Sequence, residues 1–315
     1  MVCNNNFSII SKEGQLFFSL SDYRNYYFTH QDSNKVIEFY NSFSNRKQLI
    51  QWMMERPKGN FEIKEIEGDK EVIVVIPTID INSNFAQNCK NKIFKGLHII
   101  FIESGYHNFY FNYAHNCNAG IKKAMTYNPK WVVLSNDDID TQEDIKVLIA
   151  ELRRIKELNT DFVYCQNRKD ISNTANFSET TFQRNLLFRV TTNYTRNLIK
   201  LEKKFGVKYL LAAVTFPNKK LFKVKFSMPA TSDFVILNSD LLRNIKDLFD
   251  ETFINGGEDI EFSLRIFLRK SSYISIQYSI ESRGGGSLGK KGRMLKDIAN
   301  LAYLNYKMEK MKFIL

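Results

Sequence analysis

The sequence contains one unbroken β-branched run, Val72-Ile73-Val74-Val75-Ile76, which ends at Pro77. A run without polar alternation is typical of a strand that is covered on both faces, as in a parallel sheet. Residues 97–102 and 131–134 are further apolar runs of this kind. Helical patterns lie between and after them, so strands and helices alternate along the chain. This alternation predicts an α/β fold whose ligands bind at the carboxyl ends of the strands.

The composition limits the class of protein. With 315 residues, 43% of them hydrophobic, the chain can bury a sizeable core. The net charge of +11 favours an anionic partner, which could be a phosphate-bearing substrate, an acidic membrane surface or nucleic acid. Four cysteines without CxxC spacing argue against a disulfide framework or a zinc site, and they fit a reducing compartment. We expect no secretory signal peptide and no transmembrane helix, and therefore a cytoplasmic protein.

The chain divides by pattern into three parts. Residues 1–69 are expected to form a small α+β appendage, with strands at 7–10, 15–20 and 23–29 and a helix at 45–54. Residues 70–288 carry the alternating α/β pattern. Within them, the pattern of helices and strands is least regular in the variable segment 167–230. Residues 289–315 are expected to form a basic amphipathic helix.

A second informative stretch runs from Ile254 to Arg265 and reads INGGEDIEFSLR. It joins two glycines to an acidic pair that opens an amphipathic helix, and glycines there let backbone and ligand approach closely. Acidic residues also suit the start of a helix, so a plain charged helix terminus is the alternative. A further acidic cluster, Asn136-Asp137-Asp138, follows the strand at 131–134. Two such clusters, far apart in sequence, suggest one active site at an edge of the sheet.

The loop at residues 136–140 offers hard oxygen ligands of the kind that suit Mg²⁺ or Mn²⁺. Its alternative is an ordinary turn and helix cap, since Asp and Asn are common there. The first strand is not followed by GxGxxG, and GxxxxGK[ST] does not occur. Phosphates are therefore expected to bind without either glycine-rich loop.

Together, several of these segments resemble the family-2 glycosyltransferases of the GT-A fold. They occur in the family's order, and the resemblance covers roughly residues 71–287. The segments are Val74-Val75-Ile76-Pro77-Thr78, Ile102-Glu103-Ser104-Gly105, Asn118-Ala119-Gly120-Ile121, Leu134-Ser135-Asn136-Asp137-Asp138 and Gly257-Glu258-Asp259 with the helix that follows.

The resemblance implies a Rossmann-like mixed sheet and an inverting transfer from a nucleotide sugar. Asp138 would coordinate the divalent cation, and Asp259 would be the general base that takes the proton of the acceptor hydroxyl. The nucleotide pocket would be lined by Pro77, Thr78, Glu103, Asn118, Asn136 and Asp137. A histidine that many relatives carry near the last glycine-rich segment is absent, because this chain has Ile280-Glu281-Ser282-Arg283. Glu281 could supply an oxygen ligand instead, and Arg283 could bind a phosphate directly.

The leading hypothesis is a glycosyltransferase that acts on a glycan or lipid-linked acceptor. One alternative has a nucleic-acid acceptor and rests on the basic charge. Another is a catalytically silent nucleotide-sugar-binding protein, which the absent histidine favours and the intact Asp138 and Asp259 oppose.

The final helix combines an apolar stripe with many basic residues. This pattern is typical of a helix on an anionic membrane surface, which would place the protein peripherally on the inner membrane face. In the alternative, the stripe packs on the protein and the basic residues are solvated. The basic residues are Lys290, Lys291, Arg293, Lys296, Lys307, Lys310 and Lys312.

Overall fold

A computed structural model describes residues 19–169, 174–180, 192–212, 224–229, 233–282 and 292–311. Within these ranges helices and strands alternate through most of the chain. The helices are α1 Leu20–Thr29, α2 Ser33–Asn41, α3 Arg46–Glu55, α4 Asn84–Asn88, α5 Tyr113–Met125, α6 Ile145–Arg154, α7 Asn193–Lys204, α8 Ser239–Arg243, α9 Glu258–Leu268 and α10 Arg293–Lys310. The strands are β1 Glu62–Ile66, β2 Asp69–Thr78, β3 Leu97–Glu103, β4 Trp131–Ser135, β5 Ile139–Asp140, β6 Phe162–Lys169, β7 Thr174–Glu179, β8 Tyr209–Ala212, β9 Val224–Pro229, β10 Phe234–Asn238 and β11 Tyr273–Ser282.

The main sheet has eight strands in the order β1-β3-β2-β4-β10-β6-β11-β5. Strand β2 is parallel to both β3 and β4, whereas β10 is antiparallel to β4 and β6. A separate antiparallel sheet has the order β8-β7-β9. The α/β prediction is confirmed in this form, as a mixed sheet with helices around it that is compatible with a nucleotide-binding fold.

The strand β2 shows why the sheet needs cover on both sides. Val72, Val74 and Ile76 belong to one buried cluster, which α4 and α6 help to cover. The alternate residues Ile73 and Val75 belong to the cluster on the opposite face, against α5 and part of α9. Because neighbouring side chains of a strand point to opposite faces, an all-apolar strand requires a helical layer on each side.

A third buried cluster lies among helices and the small sheet. It brings apolar side chains of α1, α2, α3, α7 and α10 together with Ile260 and Leu264 of α9. Helix α9 therefore contributes to two clusters, since its Phe262 packs on the main sheet. Residues near the two ends of the described chain share this one core; the division into three parts stays a prediction.

Two local expectations were wrong. Residues 23–29, expected as a strand, belong to helix α1, because Ser19 and Asp22 form a capping box that starts a helix just before them. The spacing of Thr141 and Asp144 also predicts a capping box that starts at Thr141, but Asp144 caps α6, and the Thr141 hydroxyl donates to the Ser279 carbonyl at 2.7 Å. The strands expected at 7–10 and within 15–18 lie outside the described residues.

Helix α10 is embedded in the protein rather than laid on its surface. The apolar stripe that was expected to contact a membrane includes Leu295, Ile298 and Ala302, which are buried. The basic residue Lys296 is buried as well, with 1% of its surface exposed. Packing on the protein, the alternative considered above, accounts for this face. In the described part of the chain, no helix has both the length and the apolarity to span a bilayer.

Gly120 lies where α5 packs closely against the sheet. A Cβ atom at this position would lie 2.3 Å from Val75 Cγ1 and 3.0 Å from Ile102 Cγ1. Glycine to alanine inside a helix normally stabilises by roughly 0.5–1 kcal/mol. We expect Gly120→Ala to lower the free energy of unfolding by about 1–3 kcal/mol instead, measured by urea denaturation. Val75→Ala removes the opposing methyl groups, so the double variant should lose less than the sum of the two losses. A stabilised Gly120→Ala would contradict the close approach.

Candidate functional site

The carboxyl ends of the parallel strands β2, β3 and β4 bring the first predicted residues together. The Thr78 hydroxyl donates to Asp137 Oδ2 at 2.7 Å, which joins the end of β2 to the loop after β4. Thr78 is also opposite Glu103 in the register of β2 and β3. Pro77, directly before it, is buried in β2. Thr78, Glu103 and Asp137 therefore lie at one edge of the sheet, as parallel strands require.

Glu103 is held by the protein on both carboxylate oxygens. Its Oε2 accepts the Ile81 backbone N–H at 2.8 Å, and its Oε1 accepts from Lys64 Nζ at 2.7 Å. These contacts fix the loop that follows β2 and leave the Glu103 side chain 16% exposed. The described contacts of Glu103 are thus structural ones, and its contact with a nucleotide stays a prediction.

The acidic segment after β4 is anchored at Asn136. Its backbone N–H donates to the Asp233 carbonyl at 2.8 Å, and its side-chain Oδ1 accepts from Tyr113 Oη at 2.7 Å. Burial raises the pKa of the Asp137 carboxyl, an effect opposed by the hydrogen bond from Thr78. The Oδ1 atom of Asp138 is also buried. The segment is therefore a partly desolvated acidic loop at the edge of the sheet.

Metal binding by this loop stays a prediction. Among the residues that the structure describes, His, Cys, Asp and Glu side chains do not form a group of three or more that could hold a metal ion. The carboxylate oxygens of Asp137 and Asp138 have the hard character that Mg²⁺ and Mn²⁺ prefer, so the donor type fits.

Asn118 forms its hydrogen bonds with the segment that precedes α9. Its Nδ2 donates to the Phe249 carbonyl at 2.9 Å and to Glu251 Oε1 at 3.1 Å, while its Oδ1 accepts the Phe249 N–H at 3.0 Å. The side chain is 2% exposed. These bonds tie α5 to the segment before α9, and the contact of Asn118 with a nucleotide stays a prediction.

The second acidic cluster begins helix α9 after an unusual turn. Gly257, the residue before the helix, has a φ of 90°, a left-handed conformation that favours glycine. Asn255, with a φ of 51°, accepts the Tyr113 N–H at 2.8 Å on its side-chain Oδ1. Glu258 and Asp259 follow directly, so the turn determines where the two carboxylates point.

Tyr113 links the two acidic clusters. It starts α5, its backbone N–H binds Asn255 and its hydroxyl binds Asn136. The side chain is partly buried, and desolvation raises the pKa of its phenol well above the ordinary value. A neutral donor at this position can bridge both segments without adding charge. The clusters that are more than 100 residues apart in sequence therefore meet through one residue.

The carboxylates at the start of α9 have strongly raised pKa values. Burial is the main cause for both; it raises the pKa of Asp259 to about 6 and that of Glu258 to about 8. Asp233 adds a like charge near Asp259, and Asp259 does the same to Glu258. The Ile260 N–H, which donates to Asp259 Oδ1 at 2.8 Å, and the charge of Arg293 oppose these effects. Glu258 is therefore neutral and Asp259 largely ionised at neutral pH.

Three residues of this site escaped the sequence analysis as site residues. Asp233 lies directly before β10, and because β10 is antiparallel to β4, it lies at the carboxyl end of β4. Its Oδ2 accepts from Ser282 Oγ at 2.7 Å, next to Glu281. Arg293 was counted only among basic residues of the last helix, and Tyr113 carried no signal. Arg283 lies outside the described residues.

The chain matches no family model and no curated protein. Among solved structures, 22 chains match. One of them is the CMP:2-keto-3-deoxy-manno-octonic acid synthetase complexed with CTP, with 9% sequence identity and a TM-score of 0.33, covering 74% of this chain and 99% of that chain. A similarity with so low a TM-score carries no conclusion about activity.

Burial of Glu258 makes the stability of the protein depend on pH. Its pKa in the folded state, about 8, lies above the ordinary value of 4.5, so the folded state binds the proton more tightly. This contribution to stability is complete at low pH and is lost as pH rises toward and through about 8. Glu258→Gln keeps a neutral side chain at every pH. We expect its melting temperature to match the wild type near pH 4 (about the unfolded pKa) and to exceed it by roughly 5–10 °C near pH 9.

The control for this comparison is Glu62→Gln, because the Glu62 side chain is 75% exposed. Its difference from the wild type should stay flat over the same pH range. A flat difference for Glu258→Gln would show that Glu258 is solvated and ionised.

Proposed function

We propose that this chain is an inverting glycosyltransferase whose donor is a nucleotide sugar. The observation that carries this proposal is the position of Asp259, a partly buried carboxylate with a pKa of about 6 that Tyr113 connects to the acidic loop after β4. The resemblance to family-2 glycosyltransferases in these segments supports it. Under this proposal the fold is of the GT-A type.

Asp259 would act as the general base. A base works best when its pKa lies near the working pH, because it is then ionised yet still takes a proton readily. It would accept the proton of the acceptor hydroxyl as that oxygen bonds to the anomeric carbon, while the bond from this carbon to the nucleoside diphosphate breaks. Glu258, neutral beside it, adds no second charge to the pair.

The acidic loop would face the diphosphate of the donor. Mg²⁺ or Mn²⁺ is commonly held by one or two carboxylates together with substrate phosphates, which fits a loop with Asp138 as the main ligand. When bound, the cation would neutralise charge on the departing nucleoside diphosphate. Thr78, bonded to Asp137, would hold the loop in place, and Arg283 would add positive charge at the phosphates.

The acceptor would be a glycan or a lipid-linked glycan, in keeping with the chemistry of a hydroxyl nucleophile. Burial of the apolar stripe of α10 means that attachment to an anionic membrane would have to use other basic surfaces of the protein. The net charge of +11 favours such an attachment.

The proposed base is tested by Asp259→Asn, which keeps the shape but cannot accept the proton. Donors are first identified by thermal shift with a panel of nucleotide sugars. With the donor found, release of nucleoside diphosphate should fall by about 10²- to 10⁴-fold. Donor affinity, measured by calorimetry, should stay near the wild-type value. Wild-type activity itself should decline as pH falls below about 6, when Asp259 becomes protonated.

Asp240→Asn is the matched control, since Asp240 lies in the first turn of α8 and its side chain is 67% exposed. It should retain wild-type turnover. Turnover near the wild-type value in Asp259→Asn would remove Asp259 from the reaction.

The proposed metal ligand is tested by Asp138→Ala. We expect donor affinity in Mn²⁺ to fall by about 10-fold or more, because a hard ligand of the bridging cation is lost. Asp137→Ala should lower the affinity less, since Asp137 binds Thr78. In EDTA the wild type and Asp138→Ala should become alike. Full wild-type activity in EDTA would refute the metal role and leave Arg283 as the group that neutralises the phosphates.

A further inference from the structure

Helix α10 holds the turn that carries the carboxylate pair. Asn300, in the middle of the helix, accepts the Ile254 N–H at 2.9 Å and donates to the Ile254 carbonyl at 3.0 Å. One turn further along, Tyr303 packs edge-on against Phe253, with ring centroids 5.0 Å apart. The last described helix of the chain is therefore bonded directly to the turn before Glu258.

Arg293, at the start of the same helix, lies over this turn. A Cβ atom at Gly256 would lie 2.8 Å from Arg293 Nη2, so the guanidinium lies directly against this glycine. Arg293 Nε donates to Asp297 Oδ1 at 2.9 Å, one helical turn away on α10. This ion pair anchors one edge of the guanidinium, while its Nη2 lies beside Gly256.

The charges around Asp259 come from several elements. Asp233 before β10 and Glu258 on α9 are acidic, and Arg293 on α10 is a cation whose charge acts on both Glu258 and Asp259. From α5, Tyr113 and the buried Cys117 lie near Glu258, and desolvation keeps both groups neutral by raising their pKa values. Asp297, the ion-pair partner of Arg293 on α10, also faces the Gly256 turn. Removing Arg293 would thus leave these four acidic groups with less compensation.

We propose that Arg293 is a positioning residue for the carboxylate pair, which keeps the Asp259 carboxylate ionised and holds the Gly256 turn in place. The placement of Arg293 over the Gly256 turn stands on the contacts above, and its consequence for catalysis rests on the proposed function. The C-terminal helix would then be part of the active site, although it lies outside the segment that resembles the glycosyltransferases.

The test follows the titration of Asp259 directly. In the full-length chain labelled with ¹³C at Asp carboxyl carbons, the Asp259 signal is identified by its loss in Asp259→Asn. The wild-type midpoint should lie near pH 6. In Arg293→Gln, which keeps a polar side chain without charge, the midpoint should rise by about one pH unit. Arg293→Lys restores the charge and should return the midpoint most of the way.

Arg46→Gln is the matched control, because Arg46 also pairs with α10 but contacts Glu309 near the opposite end of the helix. Its Asp259 midpoint should equal that of the wild type. An unchanged midpoint in a folded Arg293→Gln would overturn the proposal, as would an equal shift in Arg46→Gln.

If Arg293→Gln does not fold, the proposal is tested with a second variant, Gly256→Ala. Gly256→Ala places a methyl group against Nη2 and should displace the guanidinium without removing its charge. We expect a smaller upward shift of the Asp259 midpoint in this variant, and no shift would overturn the proposal. The acidic limb of the rate profile should move with the midpoint. If the carboxyl titration shifts but no nucleotide sugar is turned over by the wild type, Arg293 keeps its positioning role and the proposed glycosyl transfer fails.

Discussion

The two hydrogen bonds of Tyr113 are the constraint on which the site depends. The hydroxyl binds Asn136 at 2.7 Å and the backbone N–H binds Asn255 at 2.8 Å, so one residue at the start of α5 sets the spacing between two acidic segments. The preceding residue strengthens this arrangement, because the Asn112 side chain donates to the carbonyls of Glu251 and Phe253. The start of α5 is thus fixed to the turn before α9, and the geometry of the site follows from that attachment.

Burial of acidic groups at this edge of the sheet creates an electrostatic balance. Desolvation raises the pKa of Glu258 and Asp259, and Asp233 adds to the effect at Asp259, while Arg293 and a backbone N–H act in the opposite direction. The result is one neutral and one largely ionised carboxyl group side by side. Pairs of titratable groups whose environments separate their pKa values are typical of acid–base sites. Packing of α10 supplies the cation, so the core among the helices and the chemistry of the site are coupled.

The long apolar strands and the helices that pack on them could be predicted from sequence. The run from Val72 to Ile76 contains no polar residue, so burial on both faces could be predicted. The position of the acidic loop could be predicted too, because β4 is parallel to β2 and the loop follows its carboxyl end. The helix that contains Tyr26 was harder to predict, because aromatic residues favour strands and the capping box at Ser19 overrides this preference. Glu103 and Asn118 were found as conspicuous polar residues, yet their described hydrogen bonds hold the protein itself together.

The sequence by itself determined the alternation of strands and helices, the acidic segments and the glycine turn before α9, because these follow from local periodicity and backbone preferences. Tertiary structure alone decided which of these segments meet. The antiparallel direction of β10 placed Asp233 at the site, and packing of α10 placed Arg293 over Gly256. The protonation state of Glu258 was decided in the same way. A pKa in a protein depends on desolvation and on charges brought close in space, and neither quantity is defined until the chain is folded.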